Sequence, residues 1–165
     1  MIPRFEKPGA KGAFEKYSNR MQRVVIDTNI YIDWLNEGRY EDIIFQREAV
    51  KHLSAVVLLE LLAGAFSTRD RRLIRDITLP FAKATRIVTP TVSIYEEAGD
   101  VLRQLQQAHG YSMPSAHGLV NDVLIALSAR SIGASVITQN ERDFAAIQSV
   151  RPFKLVVKSL TSAEN

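Results

Sequence analysis

Four acidic residues, Asp27, Glu60, Asp122 and Asp143, stand in sequence surroundings that a solvated carboxylate does not need. Asp27 follows the apolar run that opens VVIDTNIYIDWL, residues 24–35. A β-branched run closed by Asp and followed by a helical pattern reads as a buried parallel strand that delivers a carboxylate to its C-terminal edge. In open α/β sheets that edge is where ligands bind. Glu60 and Asp122 fall within helical patterns, where the neighbours that matter lie three and four residues away. Those of Glu60 are Val56, Val57, Ala63 and Gly64, and those of Asp122 are Gly118, Leu119, Ile125 and Ala126, so each acid projects from an apolar face. Asp100, beside Glu96, Glu97, Arg103 and Gln104, and Asp76, beside Arg72, read instead as ordinary solvated positions. Asp143 lies just beyond the strand pattern SVITQ, as Asp27 lies beyond VVI. Capping a turn or helix is the plain structural role for either residue.

A buried lone carboxylate costs several kcal/mol and therefore protonates, pairs or binds a cation. Four acids converging on one sheet edge would repel one another unless a cation held them. An all-oxygen cluster suits Mg²⁺ or Mn²⁺ rather than Zn²⁺, because hard cations prefer carboxylate and water. His52, His109 and His117 have no zinc-ligand spacing, and the absence of cysteine removes thiolate sites, disulfides and cysteine nucleophiles. Neither a Gly-rich phosphate loop nor a dinucleotide fingerprint nor a nucleophile elbow occurs, and Ser54 and Ser128 lack the context of a nucleophile. Trp34, Tyr31 and Tyr40 read as core and rim rather than as a base-stacking platform.

The elements that must position these acids alternate in type. A strand at about 23–27 precedes two helices, NIYIDWLNEGRY and EDIIFQREAVK, separated at Gly38. A short strand HLSAV leads into a helix VLLELLAGAF that stops near Gly64, and STRDRRLIRDITLPFAKA reads as a loop and a charged helix. TRIVTP is a strand closed by Pro90; the helix that follows has Thr91 as its cap and Gly110 at its end. After the loop YSMPSAHG come the helix LVNDVLIALSARSIG, the strand ASVITQ, a short helix in NERDFAAI and a last strand FKLVVKSL. Strands separated by helices predict an α/β fold, a three-layer α/β/α arrangement on a parallel sheet.

In this order the pieces VVIDTNIYID, LSAVVLLELLAG, NDVLIALSARSIGASVITQN and TQNERDF resemble the PIN-domain nucleases, most closely the VapC-type toxins of bacterial and archaeal toxin-antitoxin modules. The resemblance spans residues 24–144 and implies a PIN-like, five-stranded parallel sheet, usually dimerised. It further implies a Mg²⁺- or Mn²⁺-dependent endoribonuclease whose metal-binding and catalytic acids correspond to Asp27, Glu60, Asp122 and Asp143. Asn29, Thr138 and Asn140 would be their polar neighbours, and RNA, an antitoxin protein and a second copy of the chain the partners. Two departures stand out: a basic stretch before Met21, and the loop AHGYSMPSAHGLVN ahead of the third acid. An RNA-processing nuclease unrelated to toxicity, and a non-catalytic PIN-like module that binds RNA or protein, remain alternatives. A phosphatase of the haloacid-dehalogenase type would need a second Asp two residues after the first, where this chain has Asn29.

The 165 residues suffice for one domain with a proper core. Net charge is +3, but residues 1–23 carry six Lys or Arg against two Glu, while residues 24–165 carry fifteen against sixteen acids. The basic excess therefore belongs to the first segment, whose prolines, glycines and lack of period predict a flexible extension over 1–20 ahead of a single domain over 21–165. With neither a membrane-length apolar stretch nor a secretory signal core, the chain reads as cytoplasmic. Within the domain, Arg69, Arg71, Arg72 and Arg75 are the candidates for RNA-backbone contacts, against the simpler role of a solvated face paired with Asp70 and Asp76.

Overall fold

The computed structural model describes residues 21–112 and 117–159. The predicted extension, residues 1–20, lies outside the described residues, as do 113–116 of the loop before the third acid. The elements in chain order are β1 (Gln22–Ile26), α1 (Thr28–Glu37), α2 (Glu41–Phe45), β2 (Ala49–Ser54), α3 (Ala55–Ala63) and α4 (Thr68–Lys83). They continue with β3 (Ile87–Val88), α5 (Val92–His109), α6 (His117–Ser131), β4 (Ser135–Thr138), α7 (Glu141–Val150) and β5 (Lys154–Val157).

All five strands pair in parallel, in the order β3-β2-β1-β4-β5. The chain moves outward from β1 through β2 to β3, then crosses back to place β4 on the other side of β1. Right-handed crossovers that run in opposite directions put their helices on opposite faces of the sheet. Accordingly α1 touches α2 and α3, and α3 touches α4, while α5, α6 and α7 pack on one another. The result is the expected three-layer α/β arrangement with a five-stranded parallel sheet. The direction reverses between β1 and β4, and that switch point opens a crevice at the C-terminal ends of the two strands.

The core explains why two of the acids sit on apolar helix faces. In α6 the five consecutive residues Val123 to Leu127 are all buried, so this helix is covered nearly all round rather than on one stripe. Phe144 and Ile147 of α7, Val25 and Ile26 of β1, and Val136 of β4 fill the space around it.

One part of the sequence reading is corrected. The helix expected over EDIIFQREAVK ends at Phe45, and Ala49, Val50 and Lys51 belong to β2. The strand expected at HLSAV accordingly starts three residues earlier, and Ser54 caps α3 by accepting from the backbone of Val56. Pairing decides this: Ala49 to His52 align with Gln22 to Val25 of β1, a non-local ladder that outweighs the local helical pattern. Lys51 then donates to the carbonyls of Ile44 at 2.8 Å and Gln46 at 2.6 Å, satisfying acceptors where α2 ends. Among the described residues no helix is long and apolar enough to cross a membrane.

Candidate active site

Asp27 leaves β1 directly into α1, and at 3% exposure it is a buried carboxylate. It does cap the helix: its Oδ1 accepts from the backbone of Thr28 at 2.7 Å. Its Oδ2 turns the other way, across the switch point, and accepts from the Thr138 hydroxyl at 2.6 Å and the Asn29 amide at 2.8 Å. Asn29 also donates to Thr138 Oγ1 at 3.1 Å, and its own Oδ1 accepts from the backbone of Gln139 at 3.3 Å. The three residues thus tie the ends of β1 and β4 together. Burial pushes the Asp27 carboxyl above the usual range, against the lowering effect of the Thr138 hydroxyl and the Thr28 amide, with Glu60 raising it further.

Glu60, on α3, is held from both sides. The Thr28 hydroxyl donates to Oε2, and the Asn121 amide of α6 donates to Oε1 at 2.8 Å. Asp122, the next residue on α6, accepts at Oδ2 from the Asn140 amide at 3.0 Å. The same Asn140 nitrogen lies 3.0 Å from Asp143 Oδ2, so one amide bridges the third and fourth acids. Asn140 is also the true cap of α7, its Oδ1 accepting from the backbone of Asp143, which sits at the third helical position. The capping role that sequence offered Asp143 therefore belongs to Asn140. Its backbone in turn donates to Thr138 Oγ1 at 2.9 Å, linking the two halves of the network.

Glu60, Asp122 and Asp143 are half-buried rather than fully buried. Their mutual influence is still plain at Asp122, whose carboxyl is pushed up to about 8 by burial first, then by Asp27, Asp143 and Glu60. Four acids separated by up to 116 positions in sequence are thereby electrostatic neighbours. The Asn140 amide joins Asp122 to Asp143, while Asn29 and Asn121 donate to Asp27 and Glu60 respectively. Among the described residues, no group of three or more His, Cys, Asp or Glu side chains is arranged to hold a metal ion as it stands. The chemistry of the donor set nonetheless fits a hard divalent cation: the donors are oxygens, and Asp122 carries the electrostatic load that a cation would relieve.

Three participants escaped the sequence reading. Asn121 carries a sequence signal, since its own helix neighbours His117, Gly118, Leu124 and Ile125 leave it almost as isolated as Asp122. Thr28, buried and bonded to Glu60, gave no signal beyond its place beside Asp27. Tyr111, whose hydroxyl donates to Asp143 Oδ1 at 2.7 Å, lies in the loop that departs from the family pattern.

The arginines sit elsewhere. Arg69, Arg71, Arg72 and Arg75 are exposed along α4 and make no ion pair among the described residues. Asp70, one of their expected partners, is engaged in a capping box with Ser67. A cleft of about 300 Å³ joins α4 to the site, with Glu60 and Leu61 on one wall, Asp70 and Leu73 on another, and Ile32 and Leu35 of α1 between them.

A sequence model of the PIN domain matches residues 24–149. Solved structures of the same fold include VapBC2 from Rickettsia felis bound to a DNA fragment from its promoter, at 20% identity and a TM-score of 0.59, covering 84% of this chain and 100% of that one. VapBC-1 from nontypeable Haemophilus influenzae aligns at 23% identity and a TM-score of 0.60, over 82% of this chain and 98% of the other. DNA-bound VapBC from Salmonella typhimurium aligns at 19% identity and a TM-score of 0.59, over 83% and 98% respectively. No curated protein sequence matches significantly. At these identities the likeness extends to the fold and no further.

Proposed function

Since this chain belongs to the PIN domain family of nucleases, we propose that it is a Mg²⁺- or Mn²⁺-dependent endoribonuclease, the toxin of a toxin-antitoxin pair. The observation that carries the chemistry is the convergence on Asp122: a carboxyl raised to about 8 by burial and three further acids is a site poised for a cation.

Asp27, Asp122 and Asp143 would hold the metal, with Glu60 completing the set. When bound, the cation supplies water activation at neutral pH and offsets charge on the attacked phosphodiester. The chain's own residues do the arranging. Thr138 and Asn29 fix one oxygen of Asp27, Asn140 holds Asp122 and Asp143 in a common orientation, and Thr28 with Asn121 keeps Glu60 turned inward. Water activated by the cation would not need an imidazole base. The acids repel phosphate until a cation is in place. RNA affinity must then come from outside the cluster, and the unpaired arginines of α4 are the candidates.

A protein partner is supported by what surrounds the cleft beside Glu60. Ile32, Leu62, Phe66 and Leu73 are 42–89% exposed on α1, on α3 and its C-terminal edge, and on α4, an apolar surface suited to an antitoxin. Homodimerisation and residence in the cytoplasm follow from the same toxin reading.

The test is cleavage of a labelled RNA by the full chain. Activity is expected with Mg²⁺ or Mn²⁺, abolished by chelator, and reduced by orders of magnitude in Asp27→Asn. Full activity in chelator would refute it, and binding of RNA without cleavage in any metal would favour the non-catalytic module.

A further inference from the structure

Asp143 accepts a hydrogen bond from Tyr111, a residue of the divergent loop. Gly110, with φ of +67°, ends α5 and turns the chain so that Tyr111 enters the site. The Tyr111 hydroxyl donates to Asp143 Oδ1 at 2.7 Å, while Asn140 occupies Oδ2 at 3.0 Å. Each carboxylate oxygen can accept two hydrogen bonds and receives one of these donors, so both keep a lone pair, and the side chain cannot rotate without losing a donor. The ring itself is fixed at the junction of α5 and α7. The Arg142 guanidinium lies 5.8 Å from its centroid, the His109 ring meets it edge-on at 6.4 Å, and His109 Nε2 is 3.1 Å from the Ser149 hydroxyl of α7.

Arg142 is the competitor. Its Nε is already 4.0 Å from Asp143 Oδ1, and its side chain is 86% exposed and free to move closer.

Resting on the nuclease function proposed above, we propose that Tyr111 is a positioning residue for the metal site: its hydroxyl holds Asp143 in a cation-binding orientation. Hydrogen-bonding partners of ligating carboxylates typically contribute about 10–100-fold to metal affinity. Through Tyr111 the α5–α6 loop thus acts on the acidic cluster.

The experiment is Mn²⁺ titration calorimetry of the full chain without RNA, on wild type, Tyr111→Phe, Asp143→Asn and the double variant. Tyr111→Phe is expected to weaken Mn²⁺ binding about 10–100-fold with an unchanged thermal melt in chelator. It should add nothing in the Asp143→Asn background, because its effect passes through that carboxylate. In cleavage assays the Mn²⁺ midpoint should shift upward while the rate at saturating Mn²⁺ is retained. Wild-type Mn²⁺ affinity in Tyr111→Phe would overturn the inference, as would an equal loss in the Asp143→Asn background. Tyr111→Ala guards against a role of the ring alone: impairment by Ala but not by Phe also overturns the hydroxyl's part. If wild type binds no Mn²⁺ and cleaves nothing, the nuclease function fails, and this inference with it.

Discussion

The Thr138 hydroxyl donates to Asp27 Oδ2 at 2.6 Å, a bond between residues 111 positions apart that closes the crevice between the two central strands. Thr138 is fully buried, and its oxygen also accepts from Asn29 and from the backbone of Asn140. Replacing it by the isosteric Val leaves a buried carboxylate and two N–H groups short of a partner. Thr138→Val should therefore destabilise the chain by about 1–3 kcal/mol, and Thr138→Ser by much less. Urea unfolding of the two variants beside wild type measures this. Equal stability of Thr138→Val would mean that the hydroxyl bridges nothing of consequence.

Asp122 predicts an inverted pH dependence of stability in chelator. Its carboxyl titrates near 8 when folded and near 3.9 when unfolded. Below about pH 4 both states carry the proton, and above about 8 neither does. Between those limits only the folded state keeps it, so stability should fall as pH rises through that window. Asp27, also raised, adds in the same direction. Asp122→Asn should flatten the profile and melt higher than wild type at pH 8. A wild-type melting temperature that rises from pH 5 to 8 would count against this electrostatic picture.

The α4 arginines make a prediction about salt. If all four contact RNA phosphates, changing Arg69, Arg71, Arg72 and Arg75 to Ala should weaken RNA binding at low salt. It should also make the slope of log affinity against log salt shallower by about 0.7 per lost contact. Fold stability should be nearly unchanged, since all four are exposed without ion pairs. Fluorescence anisotropy with an RNA oligonucleotide across a salt series decides it; an unchanged slope leaves these arginines as a solvated face.

A chain beginning at Met21 should fold and keep its cleavage rate at saturating RNA, because β1 starts at Gln22 and pairs on both sides. It loses Arg4, Lys7, Lys11, Lys16 and Arg20 against Glu6 and Glu15, three positive charges net. RNA affinity at low salt should accordingly drop. Thermal melting and metal-dependent cleavage of the two chains test this, and loss of folding on truncation would place residues 1–20 within the domain.

Much of the architecture was legible because it is written in local signals. Gly38 and Gly110, both in the left-handed region, end the helices they were expected to end, and Thr91 caps α5 through the backbone of Ile94. The apolar surroundings of Asp122 pointed inward because α6 is buried nearly all round, and those of Glu60 because Val56 and Val57 of α3 lie in the core. Where pairing partners decide, the sequence is silent. The start of β2 is set by its register on β1, and nothing local to Ala49 announces that ladder. The same holds for Tyr111, whose role depends on an acid 32 residues away.

The position of β4 has a consequence for how such a protein is made. Asp27 is among the first residues of the domain to be synthesised, and its partner Thr138 is among the last, since β1 waits for the strand that completes its other edge. A nascent chain that ends before residue 138 carries Asp27, Glu60 and Asp122 but has no crevice to gather them. The site is completed only when β4 joins the sheet, and a chain cut ahead of it lacks both the strand and the hydroxyl that hold Asp27.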